Sequence, residues 1–443
     1  MSYAAAIDGL FSLAAELHTA PGQPRRKFDL NEMRVLTAAL GSPERKFPSV
    51  LVAGTNGKGS TSATLASILT TAGYRTGLYT SPHLSRVNER VRINREEISD
   101  DEFAALYFRV DDCARHLVSE GELREHPSFF ETMTALAFLA FAEKGIDLAV
   151  LEVGMGGRLD ATNIVDPLLS IITDISLDHT EWLGSTIPAI THEKAGILRP
   201  NGVLVTLPQH PEANQVIGEV ATALNVRGVN AAAYVPGRDE AEKGIGYSLT
   251  VLGESIDVRS PLAGTHQHRN TALAIAAAVE LRNNYRYNIS AQQIEEGIRL
   301  TQWPGRMERL SVPGRADVLL DVAHNPAGAW ALRSALSHLD PEPHGMTAVF
   351  GCLADKPVND LAQILFPLFD SVVLTEVDSP RRASLDSMTA AAESTGVRVL
   401  TAEDAQAALD RAWVETPADG IVVVTGSVYL VGEVRRLLTE SSQ

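Results

Sequence analysis

The chain has 443 residues, a length that predicts two or three folding units. A hydrophobic fraction of 45% suits large cores and excludes global disorder. Lys plus Arg number 38 against 55 for Asp plus Glu, and the formal charge of −17 argues against a coat for nucleic acid or anionic membrane, so any bound anion needs a local site.

Helical spacing opens the chain at Leu10, Phe11, Ala14 and Leu17, and the absence of a basic leader, with Asp8 interrupting the apolar run, argues against a signal peptide. A Pro/Arg-rich loop, PGQPRRKF, then precedes a second amphipathic stretch at 30–40. The first buried strand is predicted at 49–53 and runs straight into GTNGKGS. Leu65, Ile68 and Leu69 mark a helix face after it, and Gly73 is placed to end that helix. Apolar runs at 148–153, 168–172 and 202–207 predict further strands of a mostly parallel sheet covered on both faces. Short alternating runs between 225 and 260 predict a small antiparallel insertion, and an alanine-rich helix resumes at 267–281.

TQWPGRMERL, residues 301–310, has the punctuation of a linker. Strands at 317–322, 347–350, 371–375, 397–400 and 421–424 then alternate with helices, which predicts a second doubly wound unit with functional loops at the carboxyl ends of its strands. The fold class is therefore α/β: an N-terminal P-loop-type ATPase domain with a mostly parallel sheet and a small antiparallel insertion, followed by a C-terminal Rossmann-like domain. Cys113 and Cys352 stand alone without zinc or disulfide spacing, and no apolar stretch approaches a membrane span, so a cytoplasmic location is expected.

Gly54, Thr55, Asn56, Gly57, Lys58, Gly59 and Ser60 lie between a buried strand and a helix N-terminus, where N–H groups and the helix dipole favour phosphate. Lys58 adds a point charge. The run departs from a strict Walker A, because Val52 stands where its first glycine belongs and Gly59 follows the lysine where Ser or Thr ligates magnesium. Other metal ligands are then needed, and Ser81 in TSPHL, Glu152 in LAVLEVG and His179 in DHTEWLG are the candidates. On spacing alone Ser81 reads equally as a turn residue and His179 as a helix cap. Lys194 in HEKAGIL reads as a surface lysine, while Arg306 in WPGR sits where a guanidinium can grip a phosphate between two units. Asp321 and His324 in DVAHNP end the first strand of the second unit, with a capping residue expected at the start of the next helix.

Taken together, GTNGKGS, TSPHL, EVGMGGRLDATN, DHTEWLG, HEKAGI, HQHRN, PGR, DVAHNP and TGSVY resemble, in order, the folylpolyglutamate and dihydrofolate synthase family of the Mur ligase superfamily. The likeness runs over 47–429. It implies an ATP-dependent ligase that adds L-glutamate to a folate through an acyl phosphate, and it leaves open whether 7,8-dihydropteroate is a second acceptor.

Carried over by position, the resemblance implies nucleotide contacts at Gly54 to Ser60, Asn270, Arg306 and Asp321, and magnesium ligands at Ser81, Glu152 and His179. Lys194 matches a lysine that relatives carry as an N6-carboxylysine, able to bind metal, and Lys58, Lys194 and His324 are the expected catalytic residues. Ser128, Phe129, Phe130 and Glu131 with Leu159, Asp160 and Ala161 are expected around the pterin, and His324 and Ser427 where glutamate enters. Residues 1–300 would then be the ATP- and folate-binding domain, 301–310 the linker and 311–443 the glutamate-binding domain. Expected partners are folate or dihydropteroate and L-glutamate, with no nucleic acid or membrane, acting on a monomer. Val322 departs from the glycine of many relatives, and the segment before Phe47 diverges most. The rivals are another Mur-type amino-acid ligase, disfavoured by TSPHL and GRLDATN, and a non-catalytic nucleotide-binding regulator, disfavoured by the intact metal set and Arg306.

Overall fold

The computed structural model describes residues 2–13, 29–237, 246–339 and 343–440. The PGQPRRKF loop lies outside the described residues, as do Ala14 and Leu17. The first sheet comprises β1 (Ser49–Ala53), β2 (Thr76–Tyr79), β3 (Val91–Ile93), β4 (Glu96–Glu97), β5 (Leu148–Glu152), β6 (Leu169–Ile172), β7 (Val203–Thr206) and β8 (Arg227–Asn230). Their order is β4-β3-β2-β5-β1-β6-β7-β8, parallel from β2 to β8, with the β3–β4 hairpin antiparallel at one edge.

Strand β1 explains the central position of this sheet. Val50 and Val52 enter one apolar cluster while Leu51 and Ala53 enter the other, so every side chain is buried and the strand reads as a continuous apolar run. Helix Lys58–Thr71 covers one face together with Thr265–Tyr285 and Ala291–Arg299, and Phe129–Lys144 covers the opposite one.

The antiparallel insertion expected between 225 and 260 is smaller than that span. Among the described residues of that span only β9 (Tyr247–Val251) and β10 (Glu254–Val258) form an antiparallel hairpin, whereas 227–230 pairs in parallel with β7 as the sheet's edge. Three of the residues in β8 are exposed beside its one half-buried valine, so its sequence lacks the apolar run of a central strand.

The second sheet holds β11 (Glu308–Leu310), β12 (Asp317–Leu320), β13 (Met346–Phe350), β14 (Ser371–Thr375), β15 (Arg398–Ala402) and β16 (Ile421–Thr425), in the order β11-β12-β16-β13-β14-β15. All its pairs are parallel except β11 with β12, so the last three residues of the expected linker are paired into the second sheet. The two units touch closely at helix Val428–Glu440. A Cβ on Gly432 would lie 1.8 Å from the Leu84 carbonyl oxygen, and the Gly432 carbonyl accepts from Ser85 Oγ at 3.3 Å. Among the described residues no helix is long and apolar enough to cross a membrane.

Candidate active site

The glycine-rich loop leaves the carboxyl end of β1 and enters helix Lys58–Thr71 at Gly57, whose φ of 88° is left-handed. A Cβ there would stand 2.1 Å from Asn270 Oδ1, so the glycine also lets helix Thr265–Tyr285 bring Asn270 against the loop. Gly59 answers the departure from Walker A. Its Cβ would meet the Trp303 ring at 2.6 Å, which leaves no room for the serine or threonine of that motif. Thr55 and Asn56 donate their N–H groups to Asp174 O at 2.9 and 3.2 Å, and Lys58 Nζ donates to Thr55 O at 3.1 Å. Ser60 is buried one turn into the helix N-terminus.

Glu152 ends β5 and is buried, with Ser81 N–H donating to its Oε2 at 3.3 Å. Burial pushes its carboxyl up to about 7, against the opposing charge of Lys58, the Ser81 N–H, Arg306 and Arg90. Ser81, Glu152, Arg306 and Trp303 line a cavity of about 40 Å³. Arg306 donates to Gly305 O at 3.2 Å and its pKa is lowered by burial, which Asp321 and Glu152 oppose. Both oxygens of Asp321 accept main-chain N–H groups, from Met307 and Ala323, each at 3.0 Å. This carboxylate organises the turn after β12 as well as facing Arg306.

Lys194, unlike the surface lysine its spacing suggests, is 4% exposed and donates to Gly54 O at 2.6 Å. Burial, then the charge of Lys58, lowers its pKa to about 7, so a substantial neutral amine fraction exists at neutral pH. His179 has φ 50° before the short helix Thr180–Leu183 but makes no side-chain cap bond. Burial holds its imidazole down to about 4, leaving one ring nitrogen with an available lone pair.

A cleft of about 980 Å³ runs past these groups. All seven residues expected around the pterin line it: Ser128, Phe129, Phe130, Glu131, Leu159, Asp160 and Ala161. Two of them also carry local structure. Ser128 caps helix Phe129–Lys144 in a reciprocal box with Glu131, whose Oε2 accepts from Ser128 N and Oγ at 2.8 Å each. Asp160 accepts from Gly154 N, Met155 N and Thr162 N at 3.0 Å each, fixing the glycine-rich turn after β5. Ser81 and His179 line the cleft too, whereas Lys58, Lys194, His324 and Ser427 do not. Ser427 is buried, and its Oγ accepts from Tyr429 N at 3.1 Å at the start of the last helix. His324 is turned by a 2.8 Å bond from Nδ1 to Val322 O, with Nε2 at 3.9 Å from Asp178.

The cleft also contains residues that the sequence reading passes over. Asp178 accepts from Lys356 Nζ at 2.9 Å and from Asn325 Nδ2 at 3.0 Å, joining the end of the first sheet to the second. Burial works against its ionisation, yet His179, Lys356 and His324 hold it well below the usual carboxylate range. Asn325 caps helix Pro326–Leu336 by accepting from Gly328 N at 2.8 Å, as expected of that position, and it also bonds Asn56 of the glycine-rich loop. The available signal was position: Lys356 follows the carboxyl end of β13, where a parallel sheet keeps its functional loops.

The family model described as Mur ligase middle domain matches residues 52–278, and that described as Mur ligase, glutamate ligase domain matches 305–428. A dihydrofolate synthase/folylpolyglutamate synthase of Bacillus subtilis is 36% identical over 426 residues, covering 92% of this chain and 94% of the relative. One of the same description from Mycobacterium tuberculosis is 35% identical over 460 residues, covering 95% and 92%. Among solved structures, Mycobacterium tuberculosis folylpolyglutamate synthase complexed with ADP superposes with a TM-score of 0.87 at 34% identity, covering 98% of this chain and 99% of that one. Escherichia coli FolC in complex with DHPP and ADP gives 0.83 at 29%, covering 98% of each.

Proposed function

The chain belongs to the Mur ligase family, in the branch of folylpolyglutamate and dihydrofolate synthases, and from that premise we propose how its residues divide an ATP-dependent ligation. The protein is an acid–amino-acid ligase that adds L-glutamate to a folate. ATP converts the acceptor carboxylate to an acyl phosphate, and the amino group of glutamate displaces phosphate to form the amide. The observation that carries the reading is the shared cleft, in which the aromatic segment at Phe129, the Ser81 and His179 loops and the second sheet's Asn325 and Lys356 face one space.

In this reading the loop Gly54 to Ser60 holds the nucleotide, with the N–H groups of Gly57 to Ser60 and the Lys58 ammonium on its phosphates, Asn270 packed against Gly57, and Arg306 and Asp321 approaching from the side of the second unit. Phe129 and Phe130 offer rings to a flat heterocycle, and Ser128, Glu131, Leu159, Asp160 and Ala161 shape the wall around it. His324 and Ser427 serve the glutamate side, His324 oriented by Val322 O. The chain divides at 301–310 into an ATP- and folate-binding unit, 1–300, and a glutamate-binding unit, 311–443, a division supported by its two large sheets being separate.

A magnesium ion fits the donor set. Glu152 is a buried carboxylate whose raised pKa leaves room for a further cation, Ser81 adds a hydroxyl, and neutral His179 adds a nitrogen. Among the described residues no three His, Cys, Asp or Glu side chains are grouped so as to hold a metal ion by themselves, so Ser81 and a carboxylated Lys194 would complete the set. Bound there, the ion would neutralise charge on the phosphoryl group. The neutral amine fraction of Lys194 supports its carboxylation, since only an unprotonated amine captures carbon dioxide. The two free cysteines accord with a reducing cytoplasm, and we expect a monomer.

Phosphate release from ATP and magnesium should require both glutamate and an acceptor, with tetrahydrofolate and 7,8-dihydropteroate tried separately to tell one reaction from two. Absence of acceptor-dependent release with either would overturn the assignment.

A further inference from the structure

Four Lys or Arg side chains line the cleft among the described residues: Arg90, Arg158, Lys356 and Arg381. Three are matched by the protein's own carboxylates. Arg158 pairs with Glu193 at 2.9 Å, Lys356 with Asp178 at 2.9 Å and Arg381 with Asp355 at 2.6 Å. Arg90 is the exception. It is only 7% exposed, yet among the described residues no carboxylate lies within 4.0 Å of it.

Its hydrogen bonds are equally incomplete. Nε donates to His83 Nδ1 at 2.9 Å, and among the described residues neither terminal nitrogen has a hydrogen-bond partner. The acceptor is a ring nitrogen, so this bond brings no carboxylate to the guanidinium. The guanidinium carbon stands 5.0 Å from the Phe129 ring centroid, a further contact that carries no negative charge. Elsewhere in the chain a half-buried guanidinium is tied to main-chain oxygens: Arg199 donates to the carbonyls of Asn163, Val165 and Ile197. Arg90 is not tied in this way, so a purely structural role leaves its planar fork unexplained. An uncompensated buried charge is costly unless a ligand completes it.

Its place along the cleft says which ligand. On one side stand Phe129 and, 5.7 Å from it, Phe11, an aromatic end suited to a flat heterocycle. On the other, the short run from His83 back to Ser81 leads to Glu152 through the Ser81 N–H. A molecule lying with its rings at the phenylalanines extends its acidic arm past Arg90 toward Glu152.

We propose that Arg90 binds the acceptor carboxylate that is to be activated, holding it by its two terminal nitrogens between the aromatic pocket and the glycine-rich loop. The inference rests on the ligase reading given above, and extends it by assigning the residue that orients the reacting acid. Arg is suited to this because its fork matches a carboxylate in two parallel bonds, which lysine cannot do.

The test is a binding comparison of full-length protein with 7,8-dihydropteroate and tetrahydrofolate, and with the primary amide of the reacting carboxylate of each. Wild type should favour the acids over the amides by roughly 10- to 100-fold, the range of a charge-assisted contact. Arg90→Met should bind acid and amide about equally while keeping its affinity for ATP, and Arg90→Lys should fall between. Retention of the acid preference in Arg90→Met overturns the proposal. Should circular dichroism find that variant unfolded, Arg90→Lys decides: an undiminished preference overturns it and a reduced one supports it. Acceptor-dependent phosphate release by wild type, measured first, separates the two readings. Its absence defeats the ligase assignment, whereas its presence beside an unchanged preference in the variant defeats only the role of Arg90.

Discussion

Asn56 and Asn325 exchange amide hydrogen bonds between the two units, Asn325 Nδ2 donating to Asn56 Oδ1 at 3.1 Å and Asn56 Nδ2 to Asn325 Oδ1 at 3.4 Å. Asn325 is 2% exposed and has both donors and its acceptor engaged, adding Asp178 and Gly328 to Asn56. The glycine-rich loop is thereby tied to the start of a helix in the second unit. Asn325→Asp keeps the acceptor that caps this helix but sets a carboxylate against Asp178. We expect its thermal midpoint to fall, because two buried donors are lost and like charges meet, and its kcat/KM to fall by at least about tenfold, a loss of about 1.4 kcal/mol in transition-state stabilisation. Unchanged ligation kinetics would show the amide pair to be incidental.

Lys58→Ala removes a fixed cation whose only hydrogen bond among the described residues is to Thr55 O. Turnover should drop by about 10²- to 10³-fold or more, while unfolding free energy stays within about 0.5 kcal/mol of wild type. A fully active variant would refute the phosphate-loop assignment; steady-state kinetics and urea unfolding measure both quantities.

Gly59→Ser restores the Walker A hydroxyl on paper, but its Cβ would enter the Trp303 ring. The substitution should destabilise the protein by about 1–3 kcal/mol and shift the tryptophan emission. Unaltered stability and fluorescence would mean that the ring yields without cost.

Carboxylation of Lys194 is checked by ¹³C NMR in labelled bicarbonate, where one protein-bound carbamate resonance is expected and Lys194→Arg should abolish it. With its folded pKa near 7 and an ordinary lysine value in the unfolded chain, the unmodified residue gives the unfolded state more bound protons between about pH 7 and 10.5. Its contribution to stability therefore rises with pH across that window, and Lys194→Met should flatten the rise. A native-state resonance that survives Lys194→Arg would place the carbamate elsewhere.

His83 provides a second titration. Its pKa is about 3 when folded, by burial and then Arg90, against about 6.5 unfolded, so the unfolded state binds the extra proton between these values. Stability is lost as pH falls through the window, by up to about 1.4 kcal/mol per unit for this one group. His83→Gln can still accept from Arg90 and should reduce the acid slope of the unfolding free energy by close to one proton. An identical slope in the variant would mean that His83 titrates normally.

The continuous apolar runs of β1, β5, β6 and β7 were legible because both faces of those strands are covered. The β3–β4 hairpin was not, since Glu96 and Glu97 are exposed and Arg92 interrupts β3. Within the site, GTNGKGS and the strand-end Glu152 could be read locally, because loop and strand supply their own context. Lys194 could not: a helix of mixed composition gives no sign that this lysine reaches Gly54 O. The pairing of Asp178 with Lys356 joins residues 178 positions apart, and neither side chain has a neighbour in sequence that announces the other. Arg90 was hidden for the same reason, its distinguishing property being that among the described residues no carboxylate comes within 4.0 Å of it, although Glu152 and Glu89 act on it from farther away.

Gly432 and the Leu84 carbonyl meet at a separation that admits only a hydrogen atom on the glycine. A methyl group would hold helix Val428–Glu440 off the first unit by about an ångström or more, enough to stretch the 3.1 and 3.4 Å bonds of the distant amide pair. That one backbone contact is a gauge: it sets the spacing at which the walls of the cleft can work as a single tool, and a larger residue there would mistune the enzyme without touching any group that handles substrate.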